Sequence, residues 1–366
     1  MTTYYAGLMS GTSLDAVDIV VAGFAAGGAD IIARQAHPFP AGLRARVITM
    51  INAPDRVALD ELGSLHRELG WLYGDALSAA LEAAKLAPGA IAAAGCHGQT
   101  VRHSPDLAQP FTLQLGCGAT AAVRSGVPFV TDFRSADMAL GGQGAPLVPA
   151  FHEVAFASAD ATRVIVNIGG IANVTVLEPG APVRAWDTGP GNTLLDSHCQ
   201  AHRKTAFDAA GAWARGGCVD EALLTRLLSD PYFARSAPKS TGREYFNAAW
   251  LQQHSAPDAP QGADLQATLA ELTARSIAAA ITHAAPRADI YLCGGGAAND
   301  DLQDRLRRSL PDCAIRTTAA LGIEPDWVEA AAFAWLARAR LEGIAGNLPS
   351  ATGASRAAIL GALHAP

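Results

Sequence analysis

Apolar positions along the chain form short strand-like runs that alternate with longer helix-like runs. Residues 4–9 and 17–24 are short apolar runs joined by a turn of Ser10, Gly11, Thr12 and Ser13, which predicts a β-hairpin. Between residues 58 and 86, leucines recur at helical spacing, and the pattern ends at Pro88 and Gly89. Strands that alternate with helices predict an α/β protein.

The second half of the chain begins with the same pattern. Residues 163–168 and 174–177 read as strands around a turn at 169–173, and a glycine-rich stretch at 140–146 precedes them. Further along, the pattern predicts a strand ending at 186–187, a helix from 193, a helix over 265–284, a strand over 289–293, helices over about 299–310 and 327–342, and a surface loop over 251–264. The two similar beginnings favour two related halves.

Composition narrows the class of protein. Half of the residues are hydrophobic and 17% are charged, which supports a sizeable core and argues against disorder. A formal charge of −7 argues against a general nucleic-acid binder. The six cysteines are scattered without a CxxC pair, no basic leader precedes an apolar stretch, and no apolar run is long enough to span a bilayer. We therefore expect a reduced, cytoplasmic protein without a membrane segment.

The first turn carries candidate chemistry. Two hydroxyls and two carboxylates lie around it, between Ser10 and Asp18. Backbone N–H groups of such a turn can cradle a phosphate, and a carboxylate can hold hydrated Mg²⁺. A plain hairpin turn fits the residues equally well. The second turn, at 168–173, lies at the corresponding place in its half, and this pairing favours two loops that clamp a polyphosphate from both sides.

Asp187 is the candidate general base, because a carboxylate at the end of a buried strand lies where ligands gather in α/β sheets. The alternative is a helix N-cap, although Gly-Pro-Gly at 189–191 delays the helix. The glycines at 294–296 do not form a dinucleotide fingerprint but would let a purine lie against the backbone. Polar clusters at 97–100, 132–137 and 239–244 suit a hydroxyl-rich substrate. The histidines show no metal-ligand spacing, and neither a GxSxG elbow nor a P-loop occurs.

Taken together, these blocks resemble the anhydro-N-acetylmuramic acid kinase family. The similar segments run in order from Gly7 to about residue 340: 7–18, 96–101, 132–147, 166–174, 186–196, 238–246, 293–299 and 329–337. The resemblance implies the duplicated, ribonuclease H-like fold of actin-like ATPases and sugar kinases, with a nucleotide cleft between two α/β domains. We expect the first domain over 1–140 and the second over 141–326, with 327–366 packing back on the first domain or at the interface.

The resemblance also implies the reaction and the site. Such an enzyme is a cytoplasmic homodimer of cell-wall recycling that uses ATP, Mg²⁺ and water to convert 1,6-anhydro-N-acetylmuramic acid into N-acetylmuramic acid 6-phosphate. Asp187 matches the catalytic base. The positions expected at the nucleotide are Gly11, Thr12, Ser13, Leu14, Asp15, Ala16, Val17, Asp18, Asn167, Gly169, Gly170, Asn173, Gly294, Gly295 and Gly296. The positions expected at the sugar are His97, Thr100, Arg134, Asp137 and Glu329, and Asp15 and Asp18 are expected at Mg²⁺, directly or through water.

One position departs from the family pattern, and two other functions stay open. Ala16 stands where the family loop usually has glycine, which would distort the loop only if the backbone there were left-handed. The first alternative is a kinase of the same superfamily that acts on another sugar. The second is a non-catalytic, actin-like ATP switch, which would turn over ATP without sugar.

Overall fold

The computed structural model describes residues 3–11, 14–25, 28–53 and 56–366. The chain divides into two compact units, the first comprising Met1–Ala155 with Trp327–Pro366 and the second Phe156–Asp326. The first unit therefore extends to Ala155, whereas the sequence prediction ended the first domain at residue 140. The segment from Trp327 onward groups with the first unit.

Thirteen strands and fourteen α-helices form the described part of the chain. The strands are β1 (Tyr4–Ser10), β2 (Ala16–Ala25), β3 (Gly28–Pro38), β4 (Ile91–Cys96), β5 (Gln99–Ser104), β6 (Phe111–Leu115), β7 (Phe129–Thr131), β8 (Arg163–Ile168), β9 (Ile171–Leu177), β10 (Arg184–Pro190), β11 (Asp289–Cys293), β12 (Ile315–Thr317) and β13 (Ala362–His364). The helices are α1 (Ala41–Asn52), α2 (Leu59–Ala83), α3 (Gly118–Ser125), α4 (Ser135–Ala139), α5 (Pro149–Phe156), α6 (Thr193–His202), α7 (Ala212–Arg215), α8 (Glu221–Leu228), α9 (Pro231–Ala234), α10 (Ala248–His254), α11 (Gly262–Ala284), α12 (Asp300–Ser309), α13 (Val328–Glu342) and α14 (Pro349–Thr352).

Each unit is built on a mixed sheet, and the two sheets share one strand order apart from the additional strand β13 of the first. In the first unit the order is β13-β7-β4-β1-β2-β3, and in the second it is β10-β9-β8-β11-β12. In both, the first three strands form an antiparallel meander, and the next strand then pairs parallel to the first strand of that meander. This repeated order is the ribonuclease H-like arrangement, so the predicted duplicated actin-like fold is confirmed.

Helix α13 packs directly on the backbone of the first sheet. A Cβ added at Gly95, in β4, would overlap the main-chain carbonyl of Phe333, and a Cβ at Gly7, in β1, would overlap that of Ala330. Ten of the fifteen α13 residues are buried, although its sequence shows little amphipathic pattern. Close approach of helix and strand therefore depends on small residues in the sheet.

We expect Gly95→Ala to destabilise the first unit by about 1–3 kcal/mol or more, because the added methyl forces α13 away from the sheet. Gly89→Ala is the matched control, since a Cβ at Gly89 has open space around it. Thermal unfolding of both variants measures the difference. Equal melting temperatures would contradict this account of the packing.

Most predicted elements are present, and the differences have local causes. The helix starting at Thr193 and the strand Asp289–Cys293 lie as predicted. Strand β3 was not predicted, because it alternates between half-buried and exposed positions along a sheet edge. Helix α1, which follows it, was not predicted either. The loop predicted over 251–264 was wrong at both ends, where α10 finishes and α11 begins. No helix in the described residues is long and apolar enough to cross a membrane.

Candidate active site

The first predicted phosphate loop joins β1 to β2. Gly11 accepts a hydrogen bond through its carbonyl from the N–H of Leu14 (3.3 Å). Leu14 has a left-handed backbone (φ 55°) and a fully buried side chain that packs in the core of the first unit. Leu14 can therefore offer a ligand only its backbone. Thr12 and Ser13, also predicted at the nucleotide, lie outside the described residues.

The two loop carboxylates differ in environment. Asp15 is exposed and forms an ion pair with Arg44 at 3.4 Å. Asp18 is half-buried in β2, opposite Met9 of β1. Ala16 opens β2 and is not among the residues with positive φ, so alanine is accommodated there without backbone strain. Val17 is fully buried in the core.

A buried hydrogen-bond network fixes the end of β1 and was not predicted. The Ser10 hydroxyl donates to Gln99 Oε1 (2.9 Å) and lies 2.9 Å from the hydroxyl of Tyr73. Ser10 and Gln99 are both 2% exposed, and burial raises the pKa of Tyr73 well above its usual value. Because these residues are distant in the chain, no local pattern could reveal the network.

His97 and Arg134, both predicted at the sugar, lie in contact. His97 Nε2 accepts hydrogen bonds from Arg134 Nε (3.1 Å) and Nη2 (2.8 Å), and Arg134 Nη1 donates to the carbonyl of Gly144 (2.6 Å). Burial, followed by the nearby guanidinium, lowers the pKa of His97 well below its usual value. The imidazole is therefore neutral and acts as an acceptor that orients Arg134.

The Asp137 carboxylate is buried and accepts three hydrogen bonds from residues of the first unit. Its Oδ1 accepts from Asn347 Nδ2 (2.6 Å) and Thr352 Oγ1 (2.7 Å), and its Oδ2 accepts from the N–H of Gly144 (2.8 Å). The side chain has no exposed surface. Asp137 was predicted at the sugar, and its carboxylate ties the loop after α4 to the C-terminal segment.

Thr100 and Glu329, also predicted at the sugar, lie in β5 and α13. The Thr100 hydroxyl, in β5, accepts from Gln114 Nε2 (3.1 Å) of the neighbouring strand β6. Glu329 lies in the first turn of α13, one turn before Phe333, whose ring packs 5.0 Å from the His97 ring. Both side chains are half-buried. Their roles at the sugar stay predictions.

In the second unit, two predicted nucleotide segments lie side by side. A Cβ added at Gly294 would overlap Asn167 Oδ1, and the backbone of Gly294 is left-handed (φ 75°), so glycine is required there. Asn167 Oδ1 is buried without a hydrogen-bond partner in the described structure. Gly296 is buried, whereas Gly295 is exposed with open space on its Cβ side. An unsatisfied amide oxygen beside accessible glycine backbone fits a ligand group that donates a hydrogen bond.

The second turn is held by the segment that follows β10. The carbonyl of Gly169 accepts from the N–H of Asn192 (2.8 Å), and that of Gly170 accepts from the N–H groups of Gly191 (2.9 Å) and Thr193 (3.1 Å). Asn173, the remaining position predicted at the nucleotide, is half-buried and lies opposite Asn167 in the sheet. With the turn carbonyls engaged, the turn's orientation is fixed.

Asp187 lies inside β10 rather than at its end, because the strand continues to Pro190 with an irregularity between Asp187 and Gly189. The side chain is 7% exposed, and its Oδ2 accepts a hydrogen bond from the N–H of Thr241 (2.9 Å). It caps no helix, since α6 begins only at Thr193. The N-cap interpretation is therefore wrong.

Comparisons with known proteins identify the family. The sequence profile of the family "anhydro-N-acetylmuramic acid kinase" matches residues 3–366. Proteins of that name are 47% identical to this chain in Shewanella sediminis (99% of this chain, 98% of the relative) and in Pasteurella multocida (99% and 97%). A solved activator of the 2-hydroxyisocaproyl-CoA dehydratase from Clostridium difficile aligns over 93% of this chain and 96% of its own at 14% identity and a TM-score of 0.47. The profile match and the full-length relatives together show that this chain belongs to the anhydro-N-acetylmuramic acid kinase family.

Proposed function

We propose that this chain opens the 1,6-anhydro bridge of 1,6-anhydro-N-acetylmuramic acid with water and transfers the γ-phosphoryl group of ATP to O6. Family membership supports a sugar kinase, and the environment of Asp187 carries the hydrolytic half of the proposal. A nearly buried carboxylate with one oxygen fixed by a backbone N–H has its position defined, as a general base requires.

The proposed reaction consists of one hydrolysis, which opens the anhydro bridge, and one transfer of a phosphoryl group. Asp187 takes a proton from water while the water oxygen bonds to the anomeric carbon, and the bond between that carbon and O6 breaks. O6 then bonds to the γ-phosphorus of ATP, and ADP leaves. Catalysis of this type depends mainly on positioning and charge neutralisation.

In the first unit, Arg134 is the best-supported substrate contact. Its guanidinium is held by His97 and by the carbonyl of Gly144, so its charge is presented from a fixed position. His97 then acts through Arg134 as a positioning residue. The Asp137 carboxylate also holds this loop, because it accepts a hydrogen bond from the N–H of Gly144.

The residues present fit ATP with Mg²⁺. Asn167 offers a buried oxygen that lacks a partner in the described structure, and Gly294 to Gly296 offer backbone without side chains. No group of three or more His, Cys, Asp or Glu side chains in the described residues could form a metal site by itself. Mg²⁺ needs only one or two protein carboxylates when phosphates and water supply the remaining ligands. Asp18 and Asp15 would supply them, and the ion would neutralise charge on the transferring phosphoryl group.

Incubation with Mg-ATP and the anhydro sugar in ¹⁸O-labelled water tests the proposal. We expect a phosphorylated product that carries one heavy oxygen, measured by mass spectrometry. Phosphorylation without ¹⁸O would mean a kinase that leaves the bridge closed and would remove the role of Asp187. Rapid ATP turnover without sugar, and no sugar product, would support an ATP switch instead. Sedimentation of the same protein tests the expected homodimer.

A further inference from the structure

We propose that Lys239 is a positioning residue for Asp187. Lys239 fixes the peptide group of Asp187, and its buried positive charge favours the ionised form of the Asp187 carboxylate. The inference rests on the proposed role of Asp187 as general base. It concerns a residue that does not itself touch the reacting atoms.

Three residues form a closed ring of hydrogen bonds. The N–H of Asp187 donates to the carbonyl of Lys239 (3.1 Å), and the Lys239 ammonium donates to the carbonyl of Tyr232 (3.1 Å). The Tyr232 hydroxyl donates to the carbonyl of Asp187 (2.8 Å). The backbone is therefore held on both sides of the Asp187 side chain, next to the irregularity in β10.

Other residues hold Tyr232 in place. Its N–H donates to Asp230 Oδ1 (2.8 Å), and its ring packs edge-on against Phe246 with centroids 5.4 Å apart. Asp230 also accepts from Trp250 Nε1 (2.8 Å) and from the hydroxyl of Tyr245 (2.8 Å). Tyr232 thus links Asp187 to the buried side chains of Asp230, Phe246 and Trp250 in the second unit.

Lys239 places a positive charge in a buried position. It is 7% exposed, whereas the other two lysines, Lys85 and Lys204, are exposed. The Lys239 ammonium contacts the carbonyls of Tyr232 and Phe233 and lies 4.7 Å from the centre of the Tyr232 ring. Carbonyls and an aromatic face compensate only part of the cost of burying a cation.

The attraction between Lys239 and Asp187 acts on both groups. Burial and the like charge of Arg235 lower the pKa of Lys239, whereas the negative charge of Asp187 raises it. The same attraction must favour the ionised form of Asp187, because the interaction energy is shared. The carboxylate is the form that can accept a proton from water.

The other positively charged groups that the structure describes on the segments around Asp187 are more exposed than Lys239. Arg235, after α9, and Arg243 and Glu244, in the loop after Lys239, are exposed to solvent that screens them. Strand β9 places uncharged Asn173 opposite Asp187. The α11 side chains beside the end of β10 are Thr273 and Ser276, which are also uncharged. Lys239 is therefore the buried cation of this set.

Lys239→Met tests the inference, because it removes the charge and keeps most of the volume. We expect kcat to fall and the acid limb of the kcat/KM pH profile to move upward by about one pH unit, since loss of an adjacent cation raises the pKa of a carboxylate. The base is active only when ionised, so activity at low pH is lost first. Lys239→Arg, which keeps the charge, should restore the wild-type limb. Lys204→Met is the matched control and should leave the profile unchanged.

Tyr232→Phe tests the other side of the ring and remains informative if Lys239→Met does not fold. It removes one hydroxyl, and we expect a lower kcat with an unshifted acid limb. The control is Tyr291→Phe, another buried tyrosine of the second unit. A folded Lys239→Met enzyme with a wild-type limb, or a Tyr232→Phe enzyme with wild-type kcat, would overturn the inference. Absence of sugar phosphorylation by the wild-type protein would instead reject the proposed function.

Discussion

Asp187→Asn is expected to lower kcat by about 10²–10⁴-fold, the range that a positioned general base contributes. The amide is nearly identical in shape to the carboxylate, and its oxygen can still accept from the N–H of Thr241. It cannot take a proton from water, so attack on the anomeric carbon slows while the fold is kept. Single-turnover kinetics with labelled sugar measures the loss, and calorimetry measures ATP affinity, which we expect to be unchanged.

Asp220→Asn is the matched control for this substitution. Asp220 caps α8 by accepting at Oδ1 from the N–H of Leu223 (2.7 Å), and asparagine caps helices about as well as aspartate. We expect wild-type kinetics from this variant. An Asp187→Asn enzyme with preserved kcat and weakened ATP binding would show that Asp187 serves the nucleotide and not the water.

Asp137→Ala is expected to destabilise the protein by about 3 kcal/mol or more. The substitution removes the acceptor for three buried donors, those of Asn347, Thr352 and Gly144. Each buried donor left without a partner costs about 1–3 kcal/mol. Chemical denaturation followed by circular dichroism measures the effect. Asp106→Ala, at an exposed position of the same unit, is the control and should change stability little.

The same variant separates two roles for Asp137. If the carboxylate bound the sugar, Asp137→Ala would keep its stability and raise KM for the sugar. The structure leads us to expect the opposite, a loss of stability with KM changed only through the displaced 140–144 loop. Sugar titrations at a temperature where the variant is folded distinguish the two.

The architecture could be predicted from the sequence because its signals are local. The hairpins at β1–β2 and β8–β9 and the helix from Thr193 follow from apolar periodicity and turn residues. Helix α13 is different, since it is buried on most faces and its position depends on Gly7 and Gly95 in distant strands. Only the general location of such a helix can be predicted from its own sequence.

The site could be predicted only in part, and the reason is again the distance between partners. Asp187 was predicted from its place at the end of a buried strand, but its bonds to Lys239, Thr241 and Tyr232 join segments about 45 to 54 residues apart. Asp137 was chosen as a polar residue after a strand. Its buried partners, Asn347 and Thr352, lie more than 200 residues further along the chain. The local pattern shows where polar groups occur along the chain. It does not show which of them form buried hydrogen bonds inside the fold.

The order of the two units along the chain has a consequence for biosynthesis. The second unit is continuous, from Phe156 to Asp326, whereas the first needs α13 and β13, which are translated after the second unit. Strand β13 pairs with β7, and His364 Nε2 lies 3.0 Å from the hydroxyl of Thr131. During translation, the first unit therefore stays incomplete, with β1 and β4 not covered by α13. The second unit can already form its hydrophobic core at that stage. Until α13 and β13 are made, the apolar face of the first sheet is exposed, and such exposure favours aggregation of a nascent chain.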